Sequence, residues 1–378
     1  MDEIKVALFG IGGYGAQYLT EMEKSPRPGV RLIAAVDPYV KECSACPVYA
    51  TAEKMYANYQ PDLVVIVSPI PMHAEQAIMA FEHGCHVALE KPIAPTMQEV
   101  RDILAARDRS GKLLSIGYQF CAGKMMQEVK ADFKAGKFGR LKRMRSIVLW
   151  PRDNSYYRPG AGWKGRKFDD AGRPIFDCVL SNATSHYLMN MLYLAETPLR
   201  DIECATFKAY DIETFDTAVV RGIVGDDVQI MMAVSHACAQ EKLQNPMWRY
   251  EFEHATLDFG SVGAQMAEYA VVHFNDGRVK EYGKDAGDER MTGLWNLVDA
   301  IRGDAPIYCT GENAALHTQT MERIFAMAPE ATPFPATWLR QEDGYTYVPG
   351  LAEALFRCYE QGSMPRWNLQ AAELTEES

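Results

Sequence analysis

Short, almost wholly apolar runs alternate with amphipathic stretches along the first third of the chain. Residues 4–10, Ile-Lys-Val-Ala-Leu-Phe-Gly, read as a buried strand that ends at Gly10. A helical stretch follows to about Lys24, and Pro26, Pro28 and Gly29 then punctuate the chain. A second strand is expected from Arg31 to Val36, ending at Asp37. Residues 62–68, Asp-Leu-Val-Val-Ile-Val-Ser, suit a strand covered on both faces. From His73 to His83 the apolar positions Ala74, Ala77, Ile78 and Phe81 fall at helical spacing, with Gly84 as the stop. A strand His86 to Leu89, a helix Met97 to Arg109 capped by Thr96, and a strand Lys112 to Gly117 continue the rhythm. Strands and helices alternating this way predict right-handed crossovers and a doubly wound parallel sheet.

After Lys137-Phe138-Gly139 the pattern changes. Strand character appears at Leu141–Leu149, Glu203–Ala209, Ala218–Val224, Val228–Val234, Trp248–Phe252, Tyr269–Phe274 and Val279–Tyr282. Asp226-Asp227 and Asp276-Gly277 mark tight turns, so consecutive strands should pair antiparallel in a second, α+β domain. Helices are expected near Thr292–Ile301, Ala314–Met327 and Leu351–Glu360. At roughly 100–200 residues per domain, 378 residues divide into a first domain over 1–120, a second domain over 121–330, and an extension over 331–378 that packs back on the fold.

Composition narrows the class. With 39 Lys and Arg against 50 Asp and Glu, the net charge is −11, which lacks the basic footprint of a nucleic-acid binder or of a protein attracted to anionic membranes. The 48 % of hydrophobic residues supply ample core, and no apolar run approaches the ~20 residues that cross a bilayer. Nine dispersed cysteines read as reduced thiols, and the opening Met-Asp-Glu-Ile-Lys lacks the order of a signal peptide, so a cytoplasmic protein is expected.

The glycine cluster Gly10-Ile11-Gly12-Gly13-Tyr14-Gly15 sits between the first strand and first helix. That is where a dinucleotide fingerprint belongs: one glycine for the turn, one for close approach of backbone N–H groups to a pyrophosphate, one for helix–strand packing. Asp37 follows 22 residues after Gly15, at the distance of a carboxylate that accepts from the adenosine ribose. It would repel a 2′-phosphate, and although Lys41 could reach round, NAD is favoured over NADP. Ligands of such sheets bind at the carboxyl ends of the strands, here Gly10, Asp37, Ser68-Pro69, Glu90-Lys91-Pro92 and Tyr118-Gln119. A lysine directly after a buried strand suits proton exchange with a substrate hydroxyl; a structural pairing of Lys91 with Glu90 is the alternative.

The order Gly10-x-Gly12-Gly13-x-Gly15, Asp37, Ser68-Pro69 with His73, and Glu90-Lys91-Pro92 resembles the glucose–fructose oxidoreductase / inositol dehydrogenase / rhizopine-catabolism (Gfo/Idh/MocA) family, closely over about residues 4–120 and more loosely to about 330. The resemblance implies an α/β Rossmann domain followed by an α+β domain with a large, mostly antiparallel sheet. It also implies NAD(P)-dependent redox chemistry at a carbon of a sugar or polyol, with Lys91 at the reacting hydroxyl and a cis Lys91–Pro92 bond. The open face of the sheet commonly serves such proteins as an oligomer interface, so a homodimer or homotetramer is implied. On the same footing Gly10, Ile11, Gly12, Gly13, Tyr14, Gly15, Asp37, Ser68, Pro69, His73, Glu90, Lys91 and Gln119 would hold the cofactor.

Residues 150–176 form a Gly/Pro-punctuated stretch rich in aromatic and basic side chains. Trp150, Arg152, Asn154, Tyr156, Tyr157, Arg158, Trp163, Lys164, Arg166 and Lys167 offer flat faces for a sugar ring and donors for its hydroxyls or a carboxylate; a solvated basic loop is the bland alternative. Next, Asn182, His186 and Asn190 are spaced by four, which would set them on one helix face. The family commonly has Asp-x-x-x-His here, so this chain departs from it at Asn182, which cannot accept a proton as a carboxylate does. Weight shifts to Lys91 and His186, with Asn182 fixing the substrate; Asp177 has a different spacing and is not expected to compensate. His236 reads first as filling the sheet and second as lining a pocket, while His254, His273 and His317 look incidental. Cys43-Ser-Ala-Cys46 has no second pair to complete a zinc site, and no metal is called for. The expected activity is NAD-dependent hydride exchange with a secondary hydroxyl of a sugar, polyol or glycoside. Alternatives are a redox-neutral NAD-dependent glycosidase and an NAD-binding sensor without catalysis.

Overall fold

In the computed structural model, which describes residues 3–157, 162–240, 244–260, 269–284 and 290–375, the apolar runs of the first third become parallel strands. The elements are β1 (Ile4–Phe9), α1 (Gly15–Lys24), β2 (Val30–Val36), β3 (Val48–Tyr49), α2 (Ala52–Tyr56), β4 (Leu63–Ile66), α3 (His73–Glu82), β5 (His86–Leu89), α4 (Met97–Ser110), β6 (Leu114–Ile116) and α5 (Gln119–Ala122). The six strands lie in the order β3-β2-β1-β4-β5-β6, all parallel, with the order reversing between β1 and β4. Every residue of β4 is buried, as expected for a strand covered on both faces. Helix α4 begins where Thr96 Oγ1 accepts from the Glu99 N–H and donates to the Glu99 carboxylate, and it ends at Gly111 in the left-handed region, φ +66°.

The second stretch carries α6 (Lys124–Lys134), β7 (Leu141–Leu149), α7 (Ser185–Ala195), β8 (Arg200–Lys208), β9 (Thr217–Val224), β10 (Val228–Ser235), β11 (Gln244–Phe252), β12 (Ala255–Phe259), β13 (Tyr269–Phe274) and β14 (Val279–Lys284). Then come α8 (Thr292–Arg302), α9 (Gly311–Met327), β15 (Thr332–Pro333), the hairpin β16 (Arg340–Glu342) and β17 (Tyr345–Tyr347), and α10 (Leu351–Gln361). Nine strands form one sheet in the order β14-β13-β12-β11-β7-β10-β9-β8-β15, parallel only at β7–β10 and β8–β15. The fold is therefore a Rossmann-type parallel sheet plus an α+β region with a large, mostly antiparallel sheet.

Two compact units divide the chain: Met1–Gly123 with Ala286–Thr318, and Lys124–Asp285 with Gln319–Ser378. The boundaries differ from a simple 1–120, 121–330, 331–378 succession, and the reason is hydrophobic. Leu294, Leu297 and Val298 of α8 bury their apolar stripe with Val6, Leu8, Val65 and Ala88 of the parallel sheet, which returns residues 286–318 to the first unit. In the second unit α10 lies on the large sheet: Leu351, Ala352, Leu355, Cys358 and Tyr359 share a core with Ile147, Leu149, Val219, Met231, Ala233 and Met247. The buried Arg145 guanidinium donates to the carbonyls of Tyr359 and Glu360, at 2.9 and 2.5 Å, satisfying the helix's carboxyl end.

Candidate active site

Phe9 delivers the chain to Gly10 at φ +82°, a left-handed turn that a side chain would strain. A Cβ on Gly10 would meet the Ser68 backbone at 2.8 Å, and one on Gly15 would meet the Gly10 carbonyl oxygen at 1.9 Å. Both glycines are therefore demanded by contact between β1, the residue after β4, and α1. Gly13, φ +53°, faces open space. Tyr14 caps α1 and is 40 % exposed, its ring 6.0 Å from Tyr18 and 5.9 Å from the Arg290 guanidinium.

Asp37 closes this turn. Its Oδ2 accepts from the Ile11 and Gly12 N–H groups at 3.0 and 3.2 Å, and its Oδ1 accepts from Tyr39 and Val40 at 2.8 and 2.9 Å. Burial alone would raise the carboxyl's pKa, but the four backbone donors outweigh it and hold the group below the ordinary carboxylate range. Asp37 thus fixes the glycine turn itself, a role its spacing from Gly15 did not disclose. Lys41 donates to the Pro38 carbonyl at 2.5 Å. The cradle of small residues and helix start fits a dinucleotide: no side chain fills the space at Gly13, and Gly13 and Tyr14, whose N–H groups Asp37 does not take, are the residues that would face the phosphates.

Ser68 donates from Oγ to Gln76 at 2.6 Å, and the following Pro69 is exposed. His73 is only 1 % exposed, with Nδ1 2.9 Å from the Pro92 carbonyl and Nε2 3.0 Å from that of Ser68. Burial drives its pKa down to about 4 against the pull of those carbonyls, so at neutral pH the ring donates to one of them and merely touches the other. His73 therefore ties together the segments after β4 and β5. Gln119 is buried at the start of α5.

Glu90 and Lys91 follow β5. The Glu90 carboxylate is buried, accepts from the Tyr18 hydroxyl at 2.5 Å and from the Lys91 N–H at 3.1 Å, and sits against Gly117, where a Cβ would stand 2.9 Å from its carboxyl carbon. Burial raises its pKa, with the Tyr18 hydrogen bond and the Lys91 charge pulling the other way. The Lys91–Pro92 bond is cis and Lys91 is half-buried. Gly117 and Tyr18 are the supports that sequence reasoning missed; the glycine directly after a buried strand was their visible trace.

In the second unit His186 stands near the start of α7. From Ser185 to Leu194 every other residue is buried, so His186 alone of that run is partly accessible. Asn182 does not share its helix face, because α7 begins at Ser185. Ser181 Oγ donates to the Phe176 carbonyl and Thr184 Oγ1 to that of Val179, which holds residues 176–184 in tight turns. The Asn182 carbonyl accepts from Ser185 Oγ at 2.8 Å, and Asn190, one turn after His186 on the same face of α7, is buried.

Tyr157 packs in the core of the second unit, its ring against Tyr156 and Tyr210 and its hydroxyl 2.6 Å from Nδ1 of His236. Tyr156 is half-buried, with the Lys164 ammonium 3.9 Å and the Arg152 guanidinium 5.0 Å from its ring centre. Trp163 is half-buried, and Arg158 lies outside the described residues. Asp177 enters this cluster although its spacing argued against it: its Oδ2 accepts from the Gly165 N–H at 2.6 Å and its charge is felt by Lys164, Tyr156 and Tyr157. Arg152 and His236 join it as well, brought there by the ends of β7 and β10, which run parallel side by side.

Residues 4–118 match the model of the oxidoreductase family with an NAD-binding Rossmann fold. This likeness to the Gfo/Idh/MocA oxidoreductases spans less than a third of the chain. It is 26 % identical over 150 residues to a D-glucoside 3-dehydrogenase of Escherichia coli, covering 36 % of this chain and 41 % of the relative. It is 28 % identical over 122 residues to a 2,7-anhydro-N-acetylneuraminate hydratase of Mediterraneibacter gnavus, covering 31 % and 32 %. These matches span less than half the length of the curated relatives. A crystal structure of the WlbA dehydrogenase from Bordetella pertussis with NADH and UDP-GlcNAcA superposes with a TM-score of 0.71 at 19 % identity, covering 87 % of this chain and 96 % of that one, a likeness of fold. Among the described residues no helix is long and apolar enough to cross a membrane.

Proposed function

We propose that this oxidoreductase exchanges a hydride between NAD and a secondary hydroxyl of a sugar, polyol or glycoside. The observation that carries the reading is Lys91, set beside a buried, doubly hydrogen-bonded Glu90 at the carboxyl end of β5, two strands from the glycine turn. When held by that turn, NAD supplies the hydride acceptor or donor. The chain's residues do the rest. Lys91 takes the proton of the reacting hydroxyl, or returns it in the reverse direction. His186, the accessible side chain at the head of α7, is the second acid/base or orienting donor, and Asn182 positions substrate by hydrogen bonding. Tyr156, Trp163 and Lys164 line the sugar site. Asp37, kept ionised by four N–H donors, disfavours a 2′-phosphate and so favours NAD over NADP. The D-glucoside 3-dehydrogenase relative supports the substrate class. Contacts between copies through the large sheet, as a homodimer or homotetramer, would use strands other than β7, β9 and β10, whose one face α10 covers.

The hydratase relative favours a second reading, in which oxidation is transient and the reaction is redox-neutral. A panel of sugars, polyols and glycosides, followed at the nicotinamide absorbance band and by product analysis, separates the two. Stoichiometric reduced nicotinamide supports the dehydrogenase; product without net reduction supports the redox-neutral lyase or glycosidase. In either case Lys91→Ala should lower the chemical step by about 10²–10⁴ while NAD binding stays intact. Full turnover in that variant would remove Lys91 from its role, and NAD binding with no turnover of anything would leave a sensor.

A further inference from the structure

In a chain of net charge −11, the second unit brings two cations to one aromatic ring. Arg152 and Lys164 flank the ring of Tyr156, at 5.0 and 3.9 Å from its centre, and neither forms an ion pair among the described residues. Their sequence neighbours Arg166 and Lys167 are both paired, to Asp170 and Glu330. The Tyr156 ring also meets His236 edge-on at 5.6 Å. His236 is 1 % exposed, its Nδ1 is taken by the Tyr157 hydroxyl, and its Nε2 has no partner, as has Nε of Arg152. A buried polar atom without a partner is costly, and a ligand group or an ordered water can complete its network. Trp150 connects this cluster to the helix of His186: its ring lies 5.9 Å from the Arg152 guanidinium and 5.8 Å from Tyr187, the residue after His186.

We propose that Arg152, Lys164 and His236 form a subsite for a carboxylate carried by the sugar-like substrate. The inference rests on the reading of His186 as part of the substrate site. Charge decides the class of anion. The two cations face one buried carboxylate, Asp177, and one exposed one, Asp153; both raise the Lys164 pKa against the lowering by burial, but water screens the exposed charge, so only Asp177 is counted against the two cations. One positive charge is left over, which a carboxylate balances and a dianionic phosphate overshoots. Burial, Arg152 and Lys164 together keep His236 neutral, so its Nε2 can serve as a hydrogen-bonding partner without adding charge. The Arg152 guanidinium fork matches the two oxygens of a carboxylate.

The test is calorimetry on NAD-loaded protein with D-glucuronate and D-galacturonate, each against the parent sugar and its 6-phosphate. At least one uronate should bind about tenfold or more tightly than its parent sugar, and tighter than the 6-phosphate. Arg152→Met and Lys164→Met should each erase that preference while NAD still binds, which shows the fold intact. Equal binding of uronate and parent sugar, tightest binding of the phosphate, retention of the preference by both variants, or no binding by any probe overturns the subsite. Turnover measured in parallel keeps the two readings apart. Uronate preference without turnover of any sugar removes the oxidoreductase reading alone, and turnover of neutral sugars without a carboxylate preference removes the subsite alone.

Discussion

Glu90 and Gly117 show how one missing side chain can make room for a buried carboxylate. The Glu90 carboxylate occupies the space where a Gly117 Cβ would stand, 2.9 Å from both its carboxyl carbon and Oε1, and it cannot move aside without giving up the Tyr18 hydroxyl or the Lys91 N–H. Gly117→Ala should therefore destabilise the first unit by about 1–3 kcal/mol, the scale of overpacking a closed site, and should slow turnover by shifting Lys91. The contact can be isolated by a cycle: adding Glu90→Ala should recover part of the loss in melting temperature, so that the double variant is more stable than the single losses sum to. Strict additivity would show that the methyl clashes with something else. Asp37 teaches the same lesson from the other direction. The sequence marks it as the residue for the ribose, whereas its four N–H partners make it first a cap on the turn it was expected merely to accompany.

At the level of elements, legibility followed periodicity. Strands β5, β7 and β13 begin and end where their apolar runs do, and helices α4, α8 and α10 were missed by no more than a residue at either end. Among the elements that escaped is α6; α2, α5, β3, β15, β16 and β17 are too short to show a period, and β12, alternating Ala255, Leu257 and Phe259 inward, is a five-residue strand among polar neighbours. The four-residue spacing of Asn182 and His186 was read as a helix face, but side-chain hydrogen bonds from Ser181 and Thr184 hold the preceding turns and delay the helix to Ser185. The candidate site was legible where strand ends define it and illegible where it depends on neighbours in space, as with Asp177 beside Gly165 and His236 beside Tyr157. His73 joins two such strand ends, and its charge state carries a prediction. Its folded pKa near 4 lies below the ordinary 6.5, so the unfolded chain takes up a proton first. The stability of the neutral clamp is complete above pH about 6.5 and is lost as pH falls from there through about 4; His86, also held near 4 by burial, adds to the loss. Asp216, raised to about 6 by burial, works in the opposite sense across much of that window. Melting temperatures of wild type and His73→Asn at pH 7 and pH 5 settle the share of His73: the wild type should lose more on acidification than the variant, and parallel losses would place the acid sensitivity elsewhere.

For the molecule as a whole, the question is what covers the large sheet. Antiparallel sheets bury one face and must cover or solvate the other. On β7 and β10 the alternate positions Met144, Val148, Met232 and Val234 are buried as thoroughly as Ile147, Leu149, Met231 and Ala233, so both faces of these strands are closed. On the second face the cover is the chain's own α10, docked through Leu351, Leu355 and Tyr359 and fastened by Arg145 at its carboxyl end. Removing α10 would strip the partner from Ile147, Leu149, Met231, Ala233 and Met247, a contiguous apolar patch of the kind soluble monomers do not leave bare. It would also leave the buried Arg145 with Glu251 as its remaining partner. A chain ending before Leu351 should therefore associate: light scattering should report larger particles than for the full chain, an apolar dye should bind more, and melting should come earlier. Leu355→Ala, which keeps the helix but opens a cavity beneath it, should cost about 2–5 kcal/mol without driving association, because the patch stays covered. If the truncated chain kept the size and melting temperature of the whole, α10 would be an ornament on a sheet already sufficient, and copies of the protein could meet on that face.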